Sequence, residues 1–345
     1  MQSLVLYRKY RPEKWSEVAG QDHVVKVLQG ALSLGRLSHA YLFAGSRGTG
    51  KTSVARILAR ELGTAPADIY EIDAASNRGI DDVRALREAV AVLPFSSPYK
   101  VYIVDEVHML TKEAFNALLK TLEEPPPHAV FILATTEVEK LPETIVSRCE
   151  MHTFRKPSRK VLAEVVARAA KREGLSLEAE AAELIALLAD GSFRDAFGIL
   201  QKTASFSKDD KISASEVEAA TGAPPSALVR KFVAALSERQ ADECLKVVRR
   251  VAEGGADMSI FLRRALEWMR SILLLRFAKE MESELSAEFS PDDFAALKKM
   301  AEDKGSAVSA DCLRELLSAA DMLRYAALPT LPLELAVIKL LGQNN

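Results

Sequence analysis

The chain has little aromatic content: phenylalanine, tryptophan and tyrosine together make up 6% of its 345 residues. That disfavours a β-sandwich, and the abundance of Ala and Leu favours helices. Cysteine is scarce as well. Cys149, Cys244 and Cys312 are far apart and form no C-x-x-C pair, which fits neither a disulfide framework nor a zinc-ligand spacing and points to a reducing compartment. Excess charge is also missing. Lys and Arg number 46 against 48 Asp and Glu, a formal net charge of −2, so global charge gives no support for nucleic-acid binding and any DNA contact must come from a local patch. Long apolar runs are lacking too. Ser271–Leu275 is ended by Arg276, and Leu331–Leu341 is interrupted by Glu334 and Lys339. Neither spans a bilayer, and basic residues precede any apolar run long enough for a signal peptide, so the expected location is cytoplasmic, with no membrane partner.

What is present is ordinary globular composition, 48% hydrophobic and 27% charged, at a length that suggests two or three domains. Through the first 150 or so residues, short β-branched runs alternate with helical patterns. The strand candidates are Tyr41–Ala44, Ile69–Ile72, Val101–Val104 and Val130–Ala134; the helix candidates are Val24–Leu34, Lys51–Leu62, Asp81–Val92 and Lys112–Leu122. This alternation predicts βαβ units and a parallel sheet covered on both faces, an α/β fold. After Pro157 no strand signal is visible. Ser158–Glu173, Glu178–Ala189 and Ser192–Ser205 read as helices stopped by Gly174 and Gly191, followed by a charged connector at Lys208–Lys211. From Ser213 onward the pattern is helical, broken at Gly222–Pro225, Gly254-Gly255, Ser290-Pro291 and Pro329–Pro332. The expected division is therefore a P-loop domain at 1–156, a helical lid at 157–210 and an all-helical domain at 211–345.

Gly45-Ser46-Arg47-Gly48-Thr49-Gly50-Lys51-Thr52 fits G-x-x-x-x-G-K-[ST] between a strand and a helix, with Ser53 next in that helix. Glycines let such a loop curl so that its amides face phosphate oxygens, and the helix N-terminus adds its positive end. Lys51 would reach the β- and γ-phosphates of ATP, and the Thr52 hydroxyl would ligate Mg²⁺. A second hydrophobic strand ends in Asp105 and Glu106. Asp105 suits the Mg²⁺ shell, and Glu106 can polarise an attacking water as general base. Leu133-Ala134-Thr135-Thr136 ends a third strand. A hydroxyl there can bond phosphate or water, although β-propensity alone also places threonine in strands.

These residues together resemble the gamma/tau subunit family of bacterial DNA polymerase III, AAA+ clamp-loader ATPases. The resemblance runs through Tyr7–Pro12, Gly20-Gln21, the P-loop, Glu71–Ser76, Asp105–Leu110, Phe115–Pro125, Leu133–Thr136, Ser147-Arg148-Cys149 and Gly191–Ala196. It covers residues 1 to about 205 closely. The helical last third fits in kind and length.

The resemblance implies an ATP-dependent motor that loads the sliding clamp onto primed DNA. It would sit in an oligomeric ring with delta-like and delta-prime-like subunits, the all-helical part serving as the oligomerisation collar. It makes Thr136 sensor 1, Arg194 the sensor 2 arginine of the lid, and Arg148 an arginine finger acting on a neighbouring subunit. Tyr7, Arg11, Pro12 and Val18 would pack around the adenine. Locally, Ser192 can cap the helix with Asp195 at the third position, leaving Arg194 in the first turn, facing outward. By spacing alone, Arg194 reads first as an exposed helix arginine, and a surface arginine is also open for Arg148.

The chain departs from the family pattern at Leu62–Asp68, which runs straight into the next strand where family members carry a four-cysteine zinc module, so no zinc is expected. Ending at Asn345, it resembles the short, gamma-like form. DNA phosphates would meet Asn77 and Arg78 before a helix, with Lys100 and Lys112 as weaker candidates; each also reads as a solvated surface residue. Two other functions compete: a helicase or branch-migration AAA+ motor, for which no translocating loop is visible, and a non-hydrolysing scaffold subunit, against which the intact Lys51, Thr52, Asp105 and Glu106 argue.

Overall fold

The apolar runs of the first half become the interior of a sheet. The computed structural model describes residues 5–207, 209–286, 289, 291–303 and 305–342. Lys208 of the expected connector and Ser290 of an expected helix break lie outside the described residues. Two units are distinguished, Met1–Val165 with Ala189–Gly198, and Val166–Leu188 with Ile199–Asn345. The segment expected as a single lid at 157–210 is divided between them.

In the first unit the elements run α1 (Leu6–Lys9), α2 (Asp22–Ser33), β1 (Ala40–Ala44), α3 (Lys51–Glu61), β2 (Ile69–Asp73), α4 (Ile80–Ala91) and β3 (Lys100–Asp105). They continue with α5 (Lys112–Glu123), β4 (Ala129–Thr135), α6 (Glu143–Val146) and β5 (Glu150–Thr153). The strands form a parallel sheet in the order β2-β3-β4-β1-β5. Strand period sorts the side chains onto two faces. Leu42, Tyr102, Val104, Phe131 and Leu133 pack on one face with Val83 of α4 and Phe115, Leu118 and Leu122 of α5. Tyr41, Phe43, Ile103 and Ile132 pack on the other with Leu28 of α2, Val54 and Leu58 of α3, and Leu62 just after it. β1 and β4 are buried along their whole length because helices cover both faces.

The edge strand β5 was not foreseen. Its sequence Glu-Met-His-Thr buries only His152, and such a half-exposed edge gives no apolar run to read. The expectation that strands end after Pro157 also needs correction. In the second unit Ser176–Leu177 (β6) pairs in parallel with Lys211–Ile212 (β7), placing Lys211 of the expected connector in a strand. Two-residue strands are too short to show a period of 2.

The α7 helix (Arg159–Arg172) leads from the first unit to the second, which holds α8 (Ala179–Leu188); α9 (Phe193–Phe206) begins in the first unit. Then follow α10 (Ala214–Thr221), α11 (Ser226–Ser237), α12 (Ala241–Glu253), α13 (Met258–Phe277), α14 (Glu282–Ser286), α15 (Pro291–Glu302), α16 (Ala310–Leu323) and α17 (Leu331–Leu341). A single apolar core joins Phe232 of α11, Val248 of α12, Phe261 and Met269 of α13, Leu316 of α16 and Val337 of α17. Phe232 and Phe261 meet edge to face at 5.3 Å. Asp257 caps α13, accepting from Ser259 N at 2.7 Å and Ile260 N at 3.2 Å. No described helix is long and apolar enough to cross a membrane.

One buried carboxylate secures the connection between α4 and β3. Asp68, 1% exposed, accepts from Phe95 N at 2.6 Å and Ser96 N at 3.0 Å. Those two amide bonds, chiefly, hold its pKa below the usual carboxylate range, with Ser97 and Lys100 adding to the effect. A depressed carboxyl stabilises the fold above its unfolded pKa and loses that contribution as pH falls through the lower, folded value. Asp68→Asn is therefore expected to lower the melting temperature at pH 7, with the gap to the parent closing as pH drops below the carboxylate range. Thermal melts across pH 7 to 3 check this; a gap that stays constant or widens in acid contradicts it.

Candidate active site

In a parallel sheet all strands release their chains at the same edge. Ala44 of β1 lies beside Thr135 of β4, and Asp73 of β2 beside Asp105 of β3. The chemistry-bearing residues Gly45–Thr52, Asp105, Glu106, Thr135 and Thr136 follow those strand ends, where ligands bind in open α/β sheets. A cavity of about 580 Å³ opens there, within the range of small-molecule pockets.

Most of the residues expected at the nucleotide line this cavity. Arg47, Gly48, Thr49, Gly50, Lys51, Thr52 and Ser53 line it, together with Asp105, Glu106, Tyr7, Arg11, Pro12, Val18 and Arg194. The Gly45 and Ser46 carbonyls accept from Lys51 Nζ at 2.6 and 2.9 Å. The loop conformation demands glycine, as Gly48 and Gly50 illustrate. Gly48 has φ 77°, and a Cβ there would lie 2.0 Å from Ser192 Oγ. Gly50 has φ 105° and opens α3 with no side-chain cap, so the first-turn amides of α3 have no side chain to bond.

Two ionisable groups in the cavity are displaced by their surroundings. Burial lowers the Lys51 pKa, while nearby Glu106 and Asp105 oppose the shift. Arg11 is lowered by burial first and then by the neighbouring guanidinium of Arg56. Thr52 Oγ1 donates to Asp105 Oδ2 at 2.9 Å. These two oxygens are the kind of hard donor that suits a magnesium ion. Thr136 Oγ1 donates to Glu106 Oε2 at 3.0 Å, so the structure brings together two residues singled out separately in the sequence.

Arg194 lies in the first turn of α9. Ser192 Oγ accepts from Asp195 N at 3.2 Å, the cap read from the sequence. The Arg194 guanidinium carbon is 5.8 Å above the Tyr7 ring, and Tyr10 stacks on Phe197 at 5.8 Å. The N-terminal arm is thus attached to α9 by two aromatic contacts. Arg148 does not line the cavity. It follows α6, donating to Thr144 O at 2.9 Å and Glu123 Oε1 at 2.7 Å.

Of the four residues considered for DNA, Asn77, Arg78 and Lys112 are exposed. Lys100 is not at the surface. It is 4% exposed, and its ammonium donates to Ala89 O at 2.9 Å and Val92 O at 3.4 Å and lies 5.0 Å from the Tyr70 ring. It closes the C-terminus of α4, a task suited to a cation, and the surface role expected of it is withdrawn.

Gln21 had no role assigned from the sequence beyond its place in a motif. It is fully buried, donating to Arg155 O at 2.7 Å and Thr49 O at 3.4 Å and accepting from Arg155 N at 3.2 Å. It ties the P-loop to the chain leaving β5. A polar residue following glycine gives no periodic signal of such a role. Among the described residues no group of three or more His, Cys, Asp or Glu side chains is placed to hold a metal ion.

Comparison with known proteins agrees with this geometry. The family model described as DNA polymerase III, delta subunit, matches residues 20–71 and 64–158. The model for domain III of DNA polymerase III subunits gamma and tau matches residues 212–345. The chain is 35% identical to DNA polymerase III subunit tau of Bacillus subtilis, over 97% of this chain and 62% of that protein. It is 36% identical to the tau subunit of Escherichia coli over 79% of this chain and 46% of the relative. The chain thus spans less than two thirds of the length of these relatives. Among solved structures, the RuvB Holliday junction branch migration motor of Thermotoga maritima is similar with a TM-score of 0.53 and 26% identity, covering 66% of this chain and 80% of that one. The tau likeness extends over nearly the whole chain and the helical second unit matches the gamma and tau model, so the chain belongs to the gamma/tau subunit family of DNA polymerase III.

Proposed function

We propose that the chain binds and hydrolyses ATP and acts as a motor subunit of a bacterial sliding-clamp loader. The observation that carries the reading is the convergence of Lys51, the Thr52–Asp105 pair and Glu106 on one cavity at the carboxyl edge of the sheet. Lys51 holds the β- and γ-phosphates, and the α3 amides cap the phosphate chain. The Thr52 hydroxyl and Asp105 carboxylate would hold magnesium, which would neutralise charge on the phosphates. Tyr7, Arg11, Pro12 and Val18 enclose the base. Glu106 accepts a proton from the attacking water; the water oxygen bonds to the terminal phosphorus as the bridging P–O bond breaks and ADP leaves. Thr136 orients Glu106 and the water.

Arg194 contacts the phosphates of its own subunit. Arg148, which is not among the residues lining that cavity, serves a neighbour's site; its contacts are exposed, and releasing them costs little. The partners are delta-like and delta-prime-like subunits, the clamp and primer–template DNA, whose phosphates meet Asn77, Arg78 and Lys112. The three-part division into P-loop domain, lid and collar belongs to the same reading. A branch-migration motor shares the ATPase fold, but the match of residues 212–345 to gamma and tau domain III favours the loader.

Glu106→Gln is expected to keep ATP affinity and cut hydrolysis by a factor of about 10² or more, the usual size of a general-base contribution. Lys51→Ala should weaken ATP binding itself. Affinity and turnover measured on both variants decide; parental turnover in Glu106→Gln removes the base assignment. Arg148→Ala should leave ATP affinity of the free chain unchanged and depress the DNA- and clamp-stimulated ATPase of the assembled complex, whereas Arg194→Ala should impair the free chain's own site. An assembled Arg148→Ala complex that hydrolyses ATP and loads clamps like the parent would return Arg148 to a surface role. The chain should also carry no structural zinc, since its three cysteines are isolated from one another in sequence. Elemental analysis after dialysis is the check, and stoichiometric zinc refutes it.

A further inference from the structure

We infer that His108 is a positioning residue for Glu106, fixing where the carboxylate stands at the edge of the active site. The inference rests on Glu106 being the base. It starts from a feature of the backbone. Glu106 has φ 50° and ψ 45°, a left-handed conformation unusual for a residue with a side chain. This bend turns the chain straight from β3 into the short 3₁₀ turn Val107–Met109, closed by Met109 N donating to Glu106 O at 2.9 Å. Val107 is fully buried and anchors the turn in the core. His108, two residues on, is thereby folded back against the carboxylate of Glu106.

The imidazole is held on both sides. Its side chain is 6% exposed. Nδ1 lies 3.0 Å from Thr135 Oγ1 and 3.6 Å from Glu106 Oε2, while Nε2 lies 3.2 Å from Glu137 Oε1. Thr135 Oγ1 already accepts from Glu137 N at 3.0 Å. Glu137, as a carboxylate, can only accept, so the proton of that contact sits on Nε2, while Nδ1 and the Thr135 hydroxyl share the other hydrogen bond. Glu137 is in turn paired with Lys140 at 2.8 Å. Every hydrogen-bonding atom of the imidazole has a partner, so the ring is a rigid wall. Glu106 Oε2 sits between that wall and the Thr136 hydroxyl. A carboxylate confined in this way reaches the water in few orientations, which is what preorganisation for proton transfer requires. A His at this position in an Asp-Glu-Val-His run thus has a task separate from the magnesium and phosphate contacts.

The test uses the full chain, with ATP affinity from a fluorescent analogue, kcat from radiolabelled ATP, and thermal melts as the fold control. His108→Ala should hold ATP affinity within about twofold and lower kcat by roughly ten- to a hundredfold, the penalty for misplacing a catalytic group by about 1 Å. His108→Gln, whose amide can reach Glu137, should recover most of the rate. In a Glu106→Gln background, His108→Ala should change the residual rate by less than about twofold, because the two effects share one route. Should the alanine variant melt early, Glu137→Ala, at a half-exposed site that releases the imidazole, carries the same expectation of lower kcat at unchanged affinity. Parental kcat in His108→Ala beside an inactive Glu106→Gln overturns the inference alone, as does an equal fold-loss in the Glu106→Gln background. Parental hydrolysis by Glu106→Gln overturns the base reading and this inference with it.

Discussion

The parallel register of the central strands is the constraint on which the site depends. With β1, β3 and β4 side by side and pointing the same way, Gly45, Asp105, Glu106 and Thr135 come to one edge although the last three lie 60 to 90 positions beyond Gly45 in sequence. Burial enforces that register. A one-residue slip of β4 would turn Phe131 and Leu133 away from α4 and α5 and present Val130 and Ile132 in their place. The fixed register then places the Thr52 hydroxyl 2.9 Å from Asp105. Fold stability and site geometry are therefore coupled through the same strands.

Electrostatics supplies the second constraint. Lys51 is 5% exposed, and burial disfavours its charged form. Asp105 and Glu106 oppose that penalty, and two loop carbonyls satisfy its ammonium. On the proposed reading, a lysine held in this way would exchange its carbonyl partners for phosphate oxygens with little rearrangement. The Gln21 amide keeps the loop in register with the end of β5, and the close approach of Gly48 to Ser192 connects it to the start of α9.

The helical second unit follows a different logic. Its core is built around α13, whose buried face carries Phe261, Ala265, Trp268, Met269 and Ile272. Arg264 is buried on the same helix because its donors are satisfied by Pro224 O and Ser226 Oγ, both at 2.6 Å, with Glu218 nearby at 3.7 Å. Breaking such a network leaves a charge unpaired, a cost of about 3–5 kcal/mol.

The sequence by itself determined the α/β class, the strands β1 to β4, the P-loop with its lysine and threonine, the acidic pair ending β3, and the Ser192 cap before Arg194. These features are local: hydrophobic runs, glycine spacing and short capping patterns act over a few residues and can be read where they stand. Tertiary structure alone decided the rest. β5 and the β6–β7 pair lack a run of buried residues and exist through their partners. Lys100 reads as a surface charge until the fold brings the carbonyl ends of α4 over it. Gln21 spans to Arg155, 134 residues away, and His108 meets Thr135 and Glu137 only because the left-handed bend at Glu106 returns it to the end of β4. Contacts between residues far apart in the chain depend on packing of the whole sheet, and no short stretch of sequence carries that information.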